Sequence, residues 1–208
     1  MRLSQIDAAS RSDHYHLTED DECFYFLEYT SGRDYSFSKA NDIIANLKKK
    51  PSNRDRADYK YKLKVIQQAS NTFRGALNSE WLNQATLVPV PGSKAVGHPD
   101  YDDRIEQICR GIRDGLDVRN LVVQRESTVA SHEVGAGGRA TVDELLELYE
   151  IHEGLTAPTP TDIAIFDDVL TAGTHFRAMK TVLAARFPNA RITGMFIARR
   201  VFPPDTEL

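Results

Sequence analysis

An α/β fold built on a doubly wound, mostly parallel sheet, with an N-terminal α+β appendage, is the architecture this sequence predicts. Three features predict it. From residue 86 onward, short apolar runs alternate with segments of helical period, as when crossover helices join parallel strands. The run Ile163-Ala164-Ile165-Phe166 is apolar at every position, as in a strand covered on both faces. Residues 1–80 lack the alternation and read as an appendage or hood on a core of residues 81–208.

The elements follow in order. Residues 1–20 are polar and irregular at first. Cys23 to Tyr29 is a strand, because aromatic residues cluster in a short run, and Ser31-Gly32 is a turn signal. Residues 39–49 are helical and end near Pro51, and Lys48-Lys49-Lys50 reads as a solvated helix end favoured by the helix dipole. A longer helix spans about 56–79, with Leu63, Ile66, Ser70, Phe73 and Leu77 on one face. Thr86 to Val90 is a core strand and Pro91 to Lys94 a loop. Ile105, Ile108, Cys109, Ile112 and Leu116 mark the next helix. Leu121-Val122-Val123 is a second core strand, and residues 125–140, with Gly135, Gly137 and Gly138, form a loop. Thr141 to Glu144 matches a capping box that opens a helix through about Leu148. After the third strand at Ile163, a helix carries Phe176, Met179, Val182 and Leu183, and Ile192 to Ala198 is the fourth strand.

Composition narrows the function classes. A net charge of −4 over 208 residues argues against a general nucleic-acid binder, although a local basic site is compatible with it. Cys23 and Cys109 are too far apart to form a zinc-ligand pair or a disulfide framework, and reduced thiols in a cytoplasmic protein fit best. No run of about 18 apolar residues suggests a membrane span.

The segment from Ile163 to Leu183 carries the chemistry. An apolar strand runs into Asp167-Asp168, then the small-residue loop Thr171-Ala172-Gly173-Thr174-His175, then a helix. Ligands of open α/β sheets sit at the carboxyl ends of the strands. Small residues let the backbone approach a phosphate, while consecutive N–H groups and a helix N-terminus supply donors. Carboxylates beside such a loop suit ribose hydroxyls, which donate to them, or hydrated Mg2+.

Asp-Asp-Val-Leu-Thr-Ala-Gly-Thr-His resembles the 5-phosphoribosyl-1-diphosphate (PRPP) signature of type I phosphoribosyltransferases. The run Leu87-Val88-Pro89-Val90-Pro91-Gly92-Ser93-Lys94 resembles the ComF-like branch of that family. The likeness covers about residues 86–201; the zinc module of ComF proteins has no counterpart here, because its cysteines are absent. The resemblance implies a type I phosphoribosyltransferase-like fold, with Asp167 and Asp168 on the ribose hydroxyls and Thr171 to His175 on the 5-phosphate. His175 departs from the family, which has a small or hydroxyl residue there. In the same way Ser93, Lys94 and Arg104 are expected on the diphosphate. The stretch 125–139 resembles the catalytic loop, giving Arg125, His132 and Arg139 as candidate catalytic cations.

Transfer of a phosphoribosyl group between PRPP and a nitrogenous acceptor, with Mg2+ as cofactor, is the function the resemblance implies. A non-enzymatic PRPP- or nucleotide-sensing regulatory protein is the alternative. A homodimer is compatible with either. Phe24, Tyr25, Phe26 and Tyr35 read as packing residues, with base stacking as their other reading.

Overall fold

The computed structural model describes residues 2–125 and 140–203. Among them six strands form one sheet in the order β1-β2-β8-β7-β3-β4: Ser4–Gln5 (β1), Glu22–Thr30 (β2), Ala85–Pro89 (β3), Asp117–Val118 (β4), Asp162–Leu170 (β7) and Arg191–Val201 (β8). β1 runs antiparallel to β2 at one edge; every other neighbouring pair is parallel. The expected α/β class with a mostly parallel sheet is therefore present. No helix among the described residues is long and apolar enough to cross a membrane.

Alternation along the strands builds two cores, because successive side chains leave opposite faces of a sheet. Leu87, Ala164, Phe166, Met195 and Ile197 pack on one face beneath the helices Lys39–Leu47 (α2), Lys60–Ala76 (α3) and Arg104–Ile112 (α5). Val88, Ile163, Ile165, Ile192 and Phe196 pack on the other beneath Val142–Leu148 (α6) and Thr174–Arg186 (α7). Short helices Ala8–Arg11 (α1) and Ser79–Leu82 (α4) complete the helical set named here. Complete burial of such side chains contributes about 1.5–3 kcal/mol each.

Three expectations are corrected. Residues 1–80 do not hang outside the sheet: β2 pairs along its length with β8, and α2 and α3 share one core with β3, β7 and β8. Leu121 to Val123 does not join the parallel sheet. Val122–Gln124 (β5) pairs antiparallel with Tyr149–Ile151 (β6) in a separate ribbon, and β4 takes the edge position instead. Asp117 holds that edge, accepting from Thr86 Oγ1 at 2.7 Å and from Arg119 Nε at 2.7 Å. The long helix presents Lys62, Val65, Ile66, Ala69, Ser70 and Phe73 inward, whereas Leu63 is 55% exposed. Its start is displaced from residue 56 to Lys60 by a short 3-10 turn, Ala57–Tyr59. Cys23 and Cys109 are buried free thiols.

β3 and β7 are neighbours, yet their crossovers diverge. β3 leads through α5 to β4 on one side; β7 leads through α7 to β8 on the other. The chain therefore opens a crevice at the carboxyl ends of β3 and β7, the topological switch point of an open α/β sheet.

Candidate functional site

A cavity of about 490 Å3 occupies that crevice. Asp167, Asp168, Thr171, His175, Ser93, Lys94 and Arg104 all line it, so β3, β7 and α5 bring seven of the expected ligand residues together. Ala172, Gly173 and Thr174 form the loop between Thr171 and His175. Lys48 and Lys50 add cations from the end of α2, and Glu144 and Glu147 of α6 add carboxylates opposite. Val90, which opens the loop after β3, donates its N–H to Phe166 O at 2.9 Å and ties the two strand ends together.

Strand alternation separates the acid pair. Asp168 falls on the α5 side and is buried. Arg104 Nε and Nη2 donate to its Oδ2 at 3.2 and 2.6 Å, and Lys48 Nζ lies 3.5 Å from its Oδ1. Burial alone would raise its pKa, but the Lys48 and Arg104 charges outweigh burial and hold the carboxyl well below the usual range. Asp167 stays partly exposed to the cavity. Burial, reinforced by the Asp168 charge, holds its carboxyl above the usual range. Its Oδ1 accepts the Asp168 N–H at 2.7 Å.

Arg104 is a strut more than a free cation. Its Nη1 donates to Asp102 Oδ2 at 2.8 Å while the rest of the fork holds Asp168. Asp102 in turn accepts from Lys62 Nζ at 2.6 Å, and Lys62, 2% exposed, also donates to Lys49 O at 2.7 Å. Lys62, Asp102, Arg104, Asp168 and Lys48 thus alternate in charge along one wall. Removing one member of so enclosed a set leaves its partner uncompensated.

The backbone of the Thr171–His175 loop is held from outside. His14, fully buried, donates from Nδ1 to Thr171 O, and His16 N–H donates to Ala172 O at 3.0 Å. The carbonyl and N–H of a trans peptide point to opposite sides. The N–H groups of Ala172 and Gly173 therefore point away from this N-terminal strap. Gly173 adopts φ +89 and is the N-cap of α7, without a side-chain cap bond and without an acidic residue in the first turn. By contrast α2, α4 and α6 are capped by Ser38, Asn78 and Thr141 side chains. The uncapped end of α7 leaves first-turn donors and positive potential for an anion.

His175 enters the cavity beside this end. Its Nδ1 lies 2.8 Å from the hydroxyl of Tyr149, which is 3% exposed. Burial pushes the imidazole pKa down to about 4, so the ring is neutral at physiological pH. It offers one nitrogen to Tyr149 and the other to its surroundings.

Arg125 stands outside the cavity lining, its exposed side chain donating from Nε to Glu150 Oε2 at 2.8 Å at the end of the β5–β6 ribbon. His132 and Arg139 lie outside the described residues. Among the described residues no group of three His, Cys, Asp or Glu is placed to hold a metal. With Asp168 engaged, Asp167, Glu144 and Glu147 are lining carboxylates available to meet a hydrated divalent cation.

Sequence reasoning missed Lys48, Lys62, Asp102, Tyr149 and His14. A lysine at position 62, on the same stripe as Val65, Ile66 and Ala69, was a usable signal, because a cation there needs a buried partner. His14 carried no such mark. No family model matches the chain, and no curated protein matches it in sequence.

Proposed function

We propose that this protein binds PRPP, or a nucleotide sharing its phosphoribosyl part, in the crevice between β3 and β7. The reaction is transfer of the phosphoribosyl group to a nitrogenous acceptor. The observation that carries the reading is the uncapped start of α7, with the Ala172 and Gly173 amides turned away from the N-terminal strap, beside a cavity lined by Asp167, Lys48 and Lys94. The amides hold the 5-phosphate and Asp167 accepts from a ribose hydroxyl. Lys94 and Lys48 face the diphosphate. In the transfer the bond from C1 to the diphosphate oxygen breaks and its electron pair leaves with the diphosphate. A bond forms from C1 to the acceptor nitrogen, which gives up a proton. Lysines near the departing diphosphate stabilise the charge it gathers. A bound Mg2+ ion supplies further neutralisation of that charge.

Asp167 takes the ribose role alone, since Arg104 and Lys48 hold Asp168. Asp168 then fixes the wall that orients Asp167. A second reading, a sensor that binds without turnover, draws support from His175 and Tyr149, which place a neutral ring where the resembled family has a small or hydroxyl residue.

Calorimetry with PRPP and Mg2+ tests binding; saturable heat that Asp167→Asn abolishes is expected. Release of diphosphate with a panel of purines, pyrimidines and amines then separates enzyme from sensor. Absence of any PRPP heat in the folded protein rejects both readings.

A further inference from the structure

The segment from Lys48 to Lys64 holds eight Lys and Arg residues against two Asp, a local charge of +6 in a chain of net −4. The remainder of the molecule is correspondingly acidic, so the positive charge is gathered on one part of the surface. Part of it serves the cavity wall: Lys62 is buried on Asp102, and Lys48 faces Asp168. Lys60, Lys64, Arg54 and Arg56 are exposed.

At the centre of this patch stands Tyr61, 45% exposed. The ammonium groups of Lys49, Lys60 and Lys64 lie 5.2, 5.4 and 5.6 Å from its ring centroid. Three ammonium groups thus lie within about 6 Å of one aromatic ring; Lys49 is also paired with Asp58 Oδ2 at 3.1 Å, whereas Lys60 and Lys64 are exposed beside the ring. The surroundings fix the arrangement. Lys49 Nζ donates to Asp58 O at 2.7 Å, and Lys62 Nζ donates back to Lys49 O at 2.7 Å, which ties the turns between α2 and α3 into one unit. The same segment supplies Lys48, Lys50 and Pro51 to the cavity, so the patch runs into the crevice.

An exposed ring encircled by cations matches a strand that offers a base face and flanking phosphates together. Paired bases in a duplex do not offer their faces in this way. We infer that the Lys49–Lys64 surface binds single-stranded nucleic acid, with a base stacked on Tyr61 and phosphates on Lys49, Lys60 and Lys64. The mild acidity of the whole chain speaks only to general binding; the local field decides this contact.

The test is fluorescence anisotropy of the full chain with a labelled single-stranded oligonucleotide of about 12 nucleotides. Wild type binds, and its affinity falls linearly with salt on logarithmic axes. Tyr61→Ala weakens binding about tenfold. Lys60→Glu with Lys64→Glu weakens it further and reduces the salt slope by about two. All three residues are exposed, so the variants keep the wild-type circular dichroism spectrum. Their calorimetric response to PRPP also equals that of wild type, which separates this surface from the cavity reading. Absence of binding at low salt overturns the inference, as does binding that survives both variants. Equal affinity for duplex DNA, polyglutamate or anionic phosphatidylserine vesicles, with Tyr61→Ala without effect, overturns it as well.

Discussion

Neighbouring carboxylates at 167 and 168 face different environments because β7 sends consecutive side chains to opposite faces. Their substitutions should therefore diverge. Asp168→Asn leaves Arg104 and Lys48 short of a buried counter-charge and should cost about 3–5 kcal/mol of stability, read by urea denaturation. Asp167→Asn should do the reverse. A carboxyl with a raised folded-state pKa gives stability that is present at low pH and lost as pH rises through that pKa. Removing the charge should therefore stabilise the free protein at neutral pH by on the order of 1 kcal/mol while it abolishes PRPP binding. His175 has the opposite sign. Its folded pKa of about 4 lies below the unfolded value, so between about pH 4 and 6.5 the unfolded chain binds the extra proton and stability rises with pH. His175→Gln should flatten that rise; a slope identical to wild type would show that the ring is not held neutral. The acid pair and the loop were readable from the sequence because local chemistry defines them. Their unequal roles were not, because Arg104 and Lys48 reach Asp168 from distant elements.

The strap His14–Asp21 and the start of α7 act as one element. Arg177 donates to His16 O at 2.9 and 2.8 Å and to Asp21 Oδ2 at 2.5 Å, while Lys180 reaches Asp21 Oδ1 at 2.6 Å. Asp21 is buried, and these contacts fix the peptide planes that aim the Ala172 and Gly173 amides. Arg177→Ala should loosen the strap and weaken PRPP binding several-fold, although its side chain is outside the cavity lining. Gly173→Val should lower both stability and affinity. A Cβ there would stand 3.2 Å from Leu17 Cδ2, on a backbone at φ +89 that β-branched residues avoid. Unchanged affinity in either folded variant would contradict the role given to the strap. The strands β3, β7 and β8 and the helices α5, α6 and α7 were legible from periodicity and capping, whereas β4 and β6 were not. The strap was not, because residues 13–21 carry no period and their partners lie some 160 positions away.

Across the whole molecule, the placement of β2 between β1 and β8 decides cooperativity. A sequence lacking β/α alternation over its first 80 residues suggested a detachable part, since β2 is followed by three α-helices, α2, α3 and α4, before the next strand. Pairing with β8 is a long-range fact that no local pattern carries. Trp81, the single tryptophan, sits in α4 against the core that both halves share. Its fluorescence and far-ultraviolet circular dichroism should therefore report one coincident unfolding transition, and separate midpoints would reveal independent units. The switch-point crevice is a product of the same topology, and everything proposed for the ligand depends on it. A crystal structure of the protein soaked with PRPP and Mg2+ tests that most directly. The account predicts the 5-phosphate within hydrogen-bond distance of the Ala172–His175 amides and a ribose hydroxyl on Asp167. Phosphate oxygens on Lys48 and Lys94 with those amides bare, or a ligand seated elsewhere, would contradict it.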